Sequence, residues 1–307
     1  MTLSDDTKAV IALTTRLGDR HRPSLSPARW DALSQRLNDA GITPADLLAH
    51  DHHIDADDES LQFLLADASA ALLEAEQLAE QGLWVRSVAD DDYPGQLRRL
   101  GTQTPPVIFG AGESSLLHRG GVGVVGSRNV SEDGAAVARE LATRAANLAM
   151  PLVSGGARGV DQLAMNAAYE ARGTIVGVIA DSLRKRVRSS DVARALHEGN
   201  TCLISIQHPT AGFTPAGAMG RNKLIYALSD VTVVVASDHD SGGTWAGATE
   251  ALRRGYGRVA VWRGRGEGTG NAALEKRGAT PLKAVADLDS LVKQGPDPAQ
   301  VQLRLLD

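Results

Sequence analysis

The chain has 307 residues, enough for one large domain or two ordinary ones, and its 43% hydrophobic content is typical of a folded globular protein, which excludes general disorder. Its formal net charge of −5 excludes a surface that attracts polyanions from all sides, so a nucleic-acid partner would need a local basic patch. The single cysteine, Cys202, excludes an internal disulfide framework, and no apolar run approaches the about 18 residues of a membrane span, so we expect a cytoplasmic protein without membrane contact.

The first 82 residues show helical periodicity without a convincing strand. Segments such as PARWDALSQRLNDAG and ESLQFLLADASAALLEAEQLAEQG are bounded by Ser, Thr, Pro and Gly, which begin and end helices. The sequence therefore predicts a small helical domain over residues 1–82. His52 and His53 have no Cys or carboxylate at metal-ligand spacing, so we expect loop histidines and no metal site.

Short apolar runs alternate with helical stretches over residues 83–295. The runs are VGVVGS, MPLVSGG, TIVGVIA, TCLISIQ, DVTVVVAS and RVAVWRG. Near-continuous Val, Ile and Leu strands separated by amphipathic helices indicate a parallel sheet covered on both faces. The predicted fold is an α/β, Rossmann-like, open doubly wound domain with a mostly parallel sheet, followed by a short tail over residues 296–307. Ligands of such sheets lie beyond the carboxyl ends of the strands.

The first informative strand end is GVGVVGSRN. Gly121, Gly123 and Gly126 match a dinucleotide-binding pattern, but the first two are expected inside the strand, and no acidic residue ends the next strand to hold a ribose. We therefore expect no dinucleotide cofactor. Ser127 and Arg128 follow Gly126 shortly before a helix, where backbone N–H groups and a guanidinium favour an anion.

The second strand end is SGGARGVD. Gly155 and Gly156 allow positive φ and close approach of the backbone, and Arg158 adds a fork of donors. Together with Ser154, this loop is a candidate phosphate cradle. A second interpretation stays open, in which the glycines only make a turn and Arg158 pairs with Asp161. In the cradle interpretation, we expect Gly159 to pack closely against the sheet.

The third region, TPAGAMGRNKLIYALSD, presents basic residues at the predicted start of a helix. Cations oppose the dipole there, which suggests that they are held for an anionic partner. The candidate residues are Arg221, Asn222 and Lys223.

The fourth region and a basic cluster complete the predicted anion site. Ser241, Gly242 and Gly243 offer donors at another helix N-terminus. Four cations after TIVGVIA extend a positive track beyond one phosphate, which favours a nucleic-acid strand over a mononucleotide. They are Arg184, Lys185, Arg186 and Arg188.

Six motifs in this part of the chain are YPGQLRRL, PPVIFGAG, VGVVGSRN, LVSGGARGVDQLA, GRNKLIYALSD and SGGTWAGATEAL. Taken together and in this order, they resemble the DNA-processing protein A family (DprA, also called Smf) over roughly residues 92–292. The resemblance implies single-stranded DNA binding, homodimer formation and delivery of DNA to the RecA recombinase in natural transformation and recombination, without catalysis, metal or cofactor. It also implies that residues 1–82 are a sterile-alpha-motif-like or helix-hairpin-helix-like domain. The implied phosphate pocket contains Ser127, Arg128, residues 155–159, Arg221 and Asn222.

The chain departs from that family at several points. It reads ADSLRKRVRSSDVARAL where a Gly-Thr-Gly turn and Tyr-Pro are usual, TCLISIQHP lacks a Ser-Glu ending, and AMG replaces Phe-Pro before Arg-Asn. We expect no counterpart of the C-terminal winged-helix domain of many members. The sequence therefore predicts a divergent member.

Two other functions remain open from the sequence. SGGTWAGATE is similar to the signature of the lonely-guy nucleotide phosphoribohydrolases, in which Arg221 and Glu250 would act on a nucleoside monophosphate. The same pocket could instead sense a nucleotide without turnover. Aromatic residues near the strand ends either stack on bases or belong to the core or rim, namely Phe213, Tyr226, Trp245 and Trp262.

Overall fold

The computed structural model describes residues 3–49, 59–66 and 68–294. His52, His53 and the predicted tail over residues 296–307 lie outside the described residues. The chain divides into two compact units, of which the first comprises Met1–Tyr93, Gly101–Ala111 and Ser205–Pro209 and the second comprises the remainder. None of the described helices combines the length and the apolar character needed to cross a membrane.

The first unit contains the predicted helices and one antiparallel strand pair. Ser4 and Ser26 cap the first two helices by accepting hydrogen bonds from backbone N–H groups, and Pro27 lies at the start of the second. The apolar faces meet in a core that includes Ile11 and Leu33. The elements are α1 (Asp5–Thr14), α2 (Pro27–Ala40), α3 (Glu59–Ala66), α4 (Ala68–Glu80), β1 (Trp84–Ser87) and β2 (Val107–Gly112). That residues 1–82 form an independent domain stays a prediction.

The second unit contains a seven-stranded sheet in the order β6-β5-β4-β3-β7-β8-β9, and every neighbouring pair in it is parallel. Its strands β3 to β8 are buried along their whole length, as expected of a sheet covered on both faces. The strands are β3 (Val122–Val125), β4 (Leu152–Ser154), β5 (Ile175–Val178), β6 (Thr201–Ser205), β7 (Val231–Val234), β8 (Arg258–Trp262) and β9 (Thr280–Leu282). The predicted Rossmann-like class is confirmed.

Helices connect these strands. Ser131 caps the longest of them, α5, and Glu132 and Asp133 complement the positive end of its dipole. The helices are α5 (Glu132–Asn147), α6 (Val160–Glu170), α7 (Leu183–Arg186), α8 (Ser190–His197), α9 (Pro215–Leu228), α10 (Gly242–Arg254), α11 (Asn271–Lys276) and α12 (Leu288–Lys293).

The strand order reverses between β3 and β7. The chain adds β4, β5 and β6 on one side of β3, and then returns to place β7 on the other side. The loops that follow β3 and β7 therefore leave the sheet side by side, and the Ser127 N–H donates to the Ala236 carbonyl at 2.8 Å. Such a switch point opens a crevice at the carboxyl edge of a sheet.

Helix α9 begins earlier than predicted. The Thr214 hydroxyl caps it by accepting from the Gly217 N–H at 3.0 Å, and Pro215 occupies a first-turn position. Arg221, Asn222 and Lys223 therefore lie in the middle of the helix and not at its N-terminus. The prediction that these residues oppose the helix dipole is wrong, because the dipole acts within the first and last turns.

Candidate functional site

A cleft of about 460 Å³ lies at the switch point. We call it the central cleft. Its walls come from the loop after β3, the first turn of α6, helix α9 with the preceding Phe213, and the first turn of α10. The residues used below are 126–129, Asp161, Phe213, Arg221, Asn222, Tyr226, Asp238 and 241–243.

An ion pair forms the floor of the central cleft. Arg221 Nη1 lies 3.4 Å from Asp161 Oδ2, both side chains are buried, and Arg221 Nε has no hydrogen-bond partner among the described residues. Burial raises the pKa of the Asp161 carboxyl against the opposing effect of the Arg221 charge, and burial lowers the pKa of Arg221. A buried guanidinium with an unsatisfied donor is a site where an anion is stabilising.

The loop after β4 makes room for this guanidinium. Gly155 has no side chain and lies against Arg221, and its N–H donates to Asp161 Oδ2 at 3.2 Å. The backbone of the predicted phosphate cradle therefore positions the acidic partner of Arg221.

Arg158 does not pair with Asp161, so the pairing predicted by the second interpretation of SGGARGVD is wrong. Arg158 is exposed, and its Nη2 donates to Asn129 Oδ1 at 2.8 Å, which ties the loop after β4 to the loop after β3. Gly159 has a φ of 87°, and a Cβ there would lie 2.3 Å from the Ser127 carbonyl oxygen. Gly159 thus packs against the loop after β3 and not against the sheet. This packing holds Ser127 and Arg128 in place at the cleft.

The N-terminus of α10 forms the opposite wall. The Ser241 side chain makes no capping hydrogen bond to this helix, so the first-turn N–H groups at residues 241–243 keep their capacity for an anion. Asn222 Nδ2 donates to the Gly243 carbonyl at 3.2 Å and thereby joins α9 to α10. The prediction that residues 241–243 lie at a helix N-terminus is confirmed.

One aromatic side chain is exposed at the rim. Phe213 is 52% exposed, and the guanidinium carbon of Arg128 lies 5.7 Å from its ring centroid. The other three aromatic candidates are core residues, with Tyr226, Trp245 and Trp262 exposed by 2%, 7% and 8%. Burial raises the pKa of Tyr226, whose hydroxyl has no partner among the described residues.

The structure does not bring every predicted residue to the cleft. The Ser154 hydroxyl is buried and donates to the Val124 carbonyl at 2.7 Å, inside the sheet. Lys223 pairs with Glu250 at 3.1 Å, on another side of α9. Arg184 is half-buried and Lys185 is exposed, but neither lines the central cleft. These four positions therefore have no geometric support as phosphate ligands.

Sequence reasoning misses two members of the site. Proximity in sequence suggests Asp161 only as a partner for Arg158, three residues away, whereas its partner Arg221 lies sixty residues later. Asn129 carries no phosphate-binding signal of its own, although it follows Arg128 directly in a candidate loop. Among the described residues, no group of three His, Cys, Asp or Glu side chains is placed to hold a metal ion.

Fold and cleft together define a Rossmann-like protein with arginines and a helix N-terminus at its switch point. The sequence profile of the family described as DNA recombination-mediator protein A matches residues 84–293, and the chain belongs to this family.

Three curated relatives share this similarity. The DNA processing protein DprA of Bacillus subtilis (strain 168) is 29% identical over 184 residues, which are 59% of this chain and 61% of that protein. The putative DprA of Mycobacterium tuberculosis (strain H37Rv) is 29% identical over 184 residues, 55% of this chain and 46% of that protein. Protein Smf of Escherichia coli (strain K12) is 31% identical over 155 residues, 49% of this chain and 40% of that protein. The chain thus spans less than two thirds of these relatives.

Two solved structures share the fold. The X-ray structure of DprA from Streptococcus pneumoniae matches with a TM-score of 0.66 and 19% identity, covering 94% of this chain and 98% of that one. The structure of DprA from Helicobacter pylori, described as giving insight into the single-stranded DNA binding mode of that protein, matches with a TM-score of 0.58 and 22% identity. The match covers 69% of this chain and 97% of that one.

Proposed function

We propose that this chain binds single-stranded DNA, with the phosphate backbone held by the arginines around the switch point. The observation that carries the proposal is the meeting of Arg128, Arg221 and the α10 N-terminus in one cleft. Each of these groups favours a phosphate, and none of them recognises a particular base.

The rim of the cleft favours a strand over an isolated phosphate. Phe213 presents a half-exposed ring beside Arg128, which is the combination on which an unpaired base stacks. A duplex offers no such unpaired face, so we expect a preference for single strands.

The cellular role that we propose follows from the family. It comprises protection of single strands, their delivery to RecA in natural transformation and recombination, and action as a homodimer in the cytoplasm. Membership of the DNA recombination-mediator protein A family and the similarity to DprA and Smf support this role.

A nucleotide phosphoribohydrolase is the less favoured function. That reaction would need the Glu250 carboxylate near the Arg221 guanidinium, but Glu250 pairs with Lys223 at 3.1 Å and does not line the central cleft. The absence of catalysis stays a prediction, which an assay for release of base from nucleoside monophosphates checks.

Fluorescence anisotropy with labelled oligothymidylate and with a duplex of equal length tests the proposal. We expect tight, salt-sensitive binding of the single strand, and a loss of at least about tenfold when Arg128→Ala and Arg158→Ala are combined. Arg139→Ala is the control, because Arg139 is an exposed arginine on α5 that does not line the cleft. Equal binding by wild type and the double variant overturns the proposal.

A further inference from the structure

A second cleft of about 490 Å³ adjoins the central cleft. We call it the lateral cleft. The residues that line only this cleft are Gly155, Gly156, Arg158, Ala180, Asp181 and Arg186, and those that it shares with the central cleft are Arg128, Ala157, Phe213 and Arg221. Phe213 and the two shared arginines therefore form the boundary between the two spaces.

The two clefts differ in charge. The central cleft combines Arg128 and Arg221 with Asp161 and Asp238, so the positive and negative charges of its side chains balance. The lateral cleft combines four arginines with the carboxylate of Asp181, and although Asp161 pairs with one of them, Arg221, the side chains around this cleft keep a net positive charge. An anion is therefore more strongly attracted to the lateral cleft than to the central one.

Asp181 positions Arg186 without exhausting its donors. Arg186 Nε donates to both Asp181 oxygens at 3.2 Å, and Nη2 donates to Oδ2 at 3.0 Å. The two Nη1 hydrogens have no partner among the described residues. A guanidinium that is fixed on one side by a carboxylate offers its other side to a phosphate.

The one-turn helix α7 decides which cation of the basic cluster reaches this cleft. The Ser182 hydroxyl accepts from the Lys185 N–H at 3.2 Å and starts the turn. Arg186 lines the lateral cleft, whereas its neighbour Lys185 is exposed and does not.

Arg221, which lines both clefts, also has a buried donor that lacks an acceptor among the described residues. Arg221 lines the lateral cleft and is 5% exposed, and its Nε has no hydrogen-bond partner among the described residues. Burial lowers the pKa of Arg221, and the nearby charge of Arg128 adds to this effect.

We infer that the lateral cleft is a separate phosphate subsite in which Arg186 is the specific ligand. This inference rests on the proposed function and deepens it. The ligand is a strand of at least two linked nucleotides that crosses the boundary at Arg128 and Phe213, with one phosphate on each side. A free mononucleotide fills only one of the two clefts.

The salt dependence of oligothymidylate binding tests this inference. The substitution Arg186→Gln removes one phosphate contact, so we expect about a tenfold loss of affinity. The slope of log binding constant against log salt concentration should decrease in magnitude by about 0.7. Arg186→Lys keeps the charge and should retain the slope. Lys185→Gln is the matched control, because it removes one positive charge from the same turn outside the cleft, and it should change affinity by less than about twofold.

The outcomes separate the inference from the proposed function. If the wild type binds the strand but Arg186→Gln keeps the wild-type slope, the lateral subsite is wrong and single-strand binding stands. If Lys185→Gln lowers the slope as much as Arg186→Gln does, the cluster acts as a diffuse charge and the subsite is again wrong. If the wild type does not bind the strand, the proposed function itself fails.

Discussion

Arg221 occupies the space that any side chain on Gly155 would fill. A Cβ at position 155 would lie 0.9 Å from Arg221 Nη1 and 2.8 Å from Asp161 Oδ2. The two residues come from different elements, the loop after β4 and the middle of α9, so the glycine is required by an arginine far away in the sequence. The Arg221–Asp161 ion pair on the floor of the central cleft therefore has its observed geometry only because position 155 has no side chain.

Gly155→Ala should therefore disrupt the site and the fold around it. The clashing atoms are the far end of the flexible Arg221 side chain, so the guanidinium moves away from Asp161, at a cost of up to about 3–5 kcal/mol, the value for a buried ion pair that loses one partner. We expect a decrease of this order in the free energy of unfolding, measured by urea denaturation, together with loss of oligothymidylate binding.

Gly95→Ala is the control for that measurement. A Cβ on Gly95 would meet no atom within 4 Å, so the same substitution there should change the free energy of unfolding by less than about 1 kcal/mol. Equal stability of the two variants would show that Arg221 has an alternative position of equal energy.

Phe213 allows a test of base stacking that leaves the fold intact. Because Phe213 is 52% exposed, Phe213→Ala should leave the unfolding free energy nearly unchanged while weakening oligothymidylate binding by about 1–3 kcal/mol, the contribution of one stacked base. Phe213→Trp should restore binding. Phe63→Ala is the matched control, since Phe63 is 57% exposed on α3 and lines neither cleft. Unchanged affinity of Phe213→Ala would remove stacking from the mechanism.

The parallel sheet and the convergence of its loops could be predicted from the sequence. Apolar runs separated by helices predict parallel strands, and the carboxyl ends of parallel strands meet at one edge, so GSRN, SGGARG and SGGT are brought together. The short strand β9 could not be predicted in this way, because it has three residues and Pro281 interrupts its pattern.

The pairings within the cleft could not be predicted. The Arg221–Asp161 contact joins residues sixty positions apart, and a single sequence contains no signal for such a pair. Of the cations on α7, Arg186 lines the lateral cleft, whereas Arg184 and Lys185 do not. This difference depends on the orientation of a single helical turn, which local propensity does not determine. The predicted start of α9 is also wrong, although Thr214 and Pro215 are an ordinary start signal.

Asn222 and Lys223 are neighbours in sequence and should differ in function. Asn222 lines the central cleft and donates to Gly243, whereas Lys223 pairs with Glu250. Asn222→Asp places a negative charge beside the α10 N-terminus, where it competes with a phosphate, so oligothymidylate binding should weaken by about tenfold or more. Lys223→Gln should leave binding within about twofold and cost at most about 1 kcal/mol of stability. Equal losses of affinity in the two variants would contradict the placement of Asn222 in the central cleft and of Lys223 on another side of α9.

The Asp161 carboxyl should make the stability of the second unit pH-dependent. Burial raises its pKa in the folded state above the ordinary value of about 3.9 that it has in the unfolded chain, so between these two values the folded state binds more protons. The free energy of unfolding should therefore increase as the pH falls through the folded-state pKa, and this contribution is lost as the pH rises through it. The charged groups that act on Asp161 and its partner are Arg221, Arg128 and Asp181.

Asp161→Asn isolates this effect because it removes the titrating group and keeps the shape of the side chain. Urea denaturation of both proteins at a series of pH values below neutrality gives the difference in their unfolding free energies. We expect that difference to be constant near neutral pH and to change in favour of the wild type as the pH falls toward about 4, where the unfolded carboxyl also becomes protonated. Parallel pH profiles of the two proteins would mean that Asp161 titrates as an ordinary exposed carboxyl, and that its burial beside Arg221 does not disfavour the charged form.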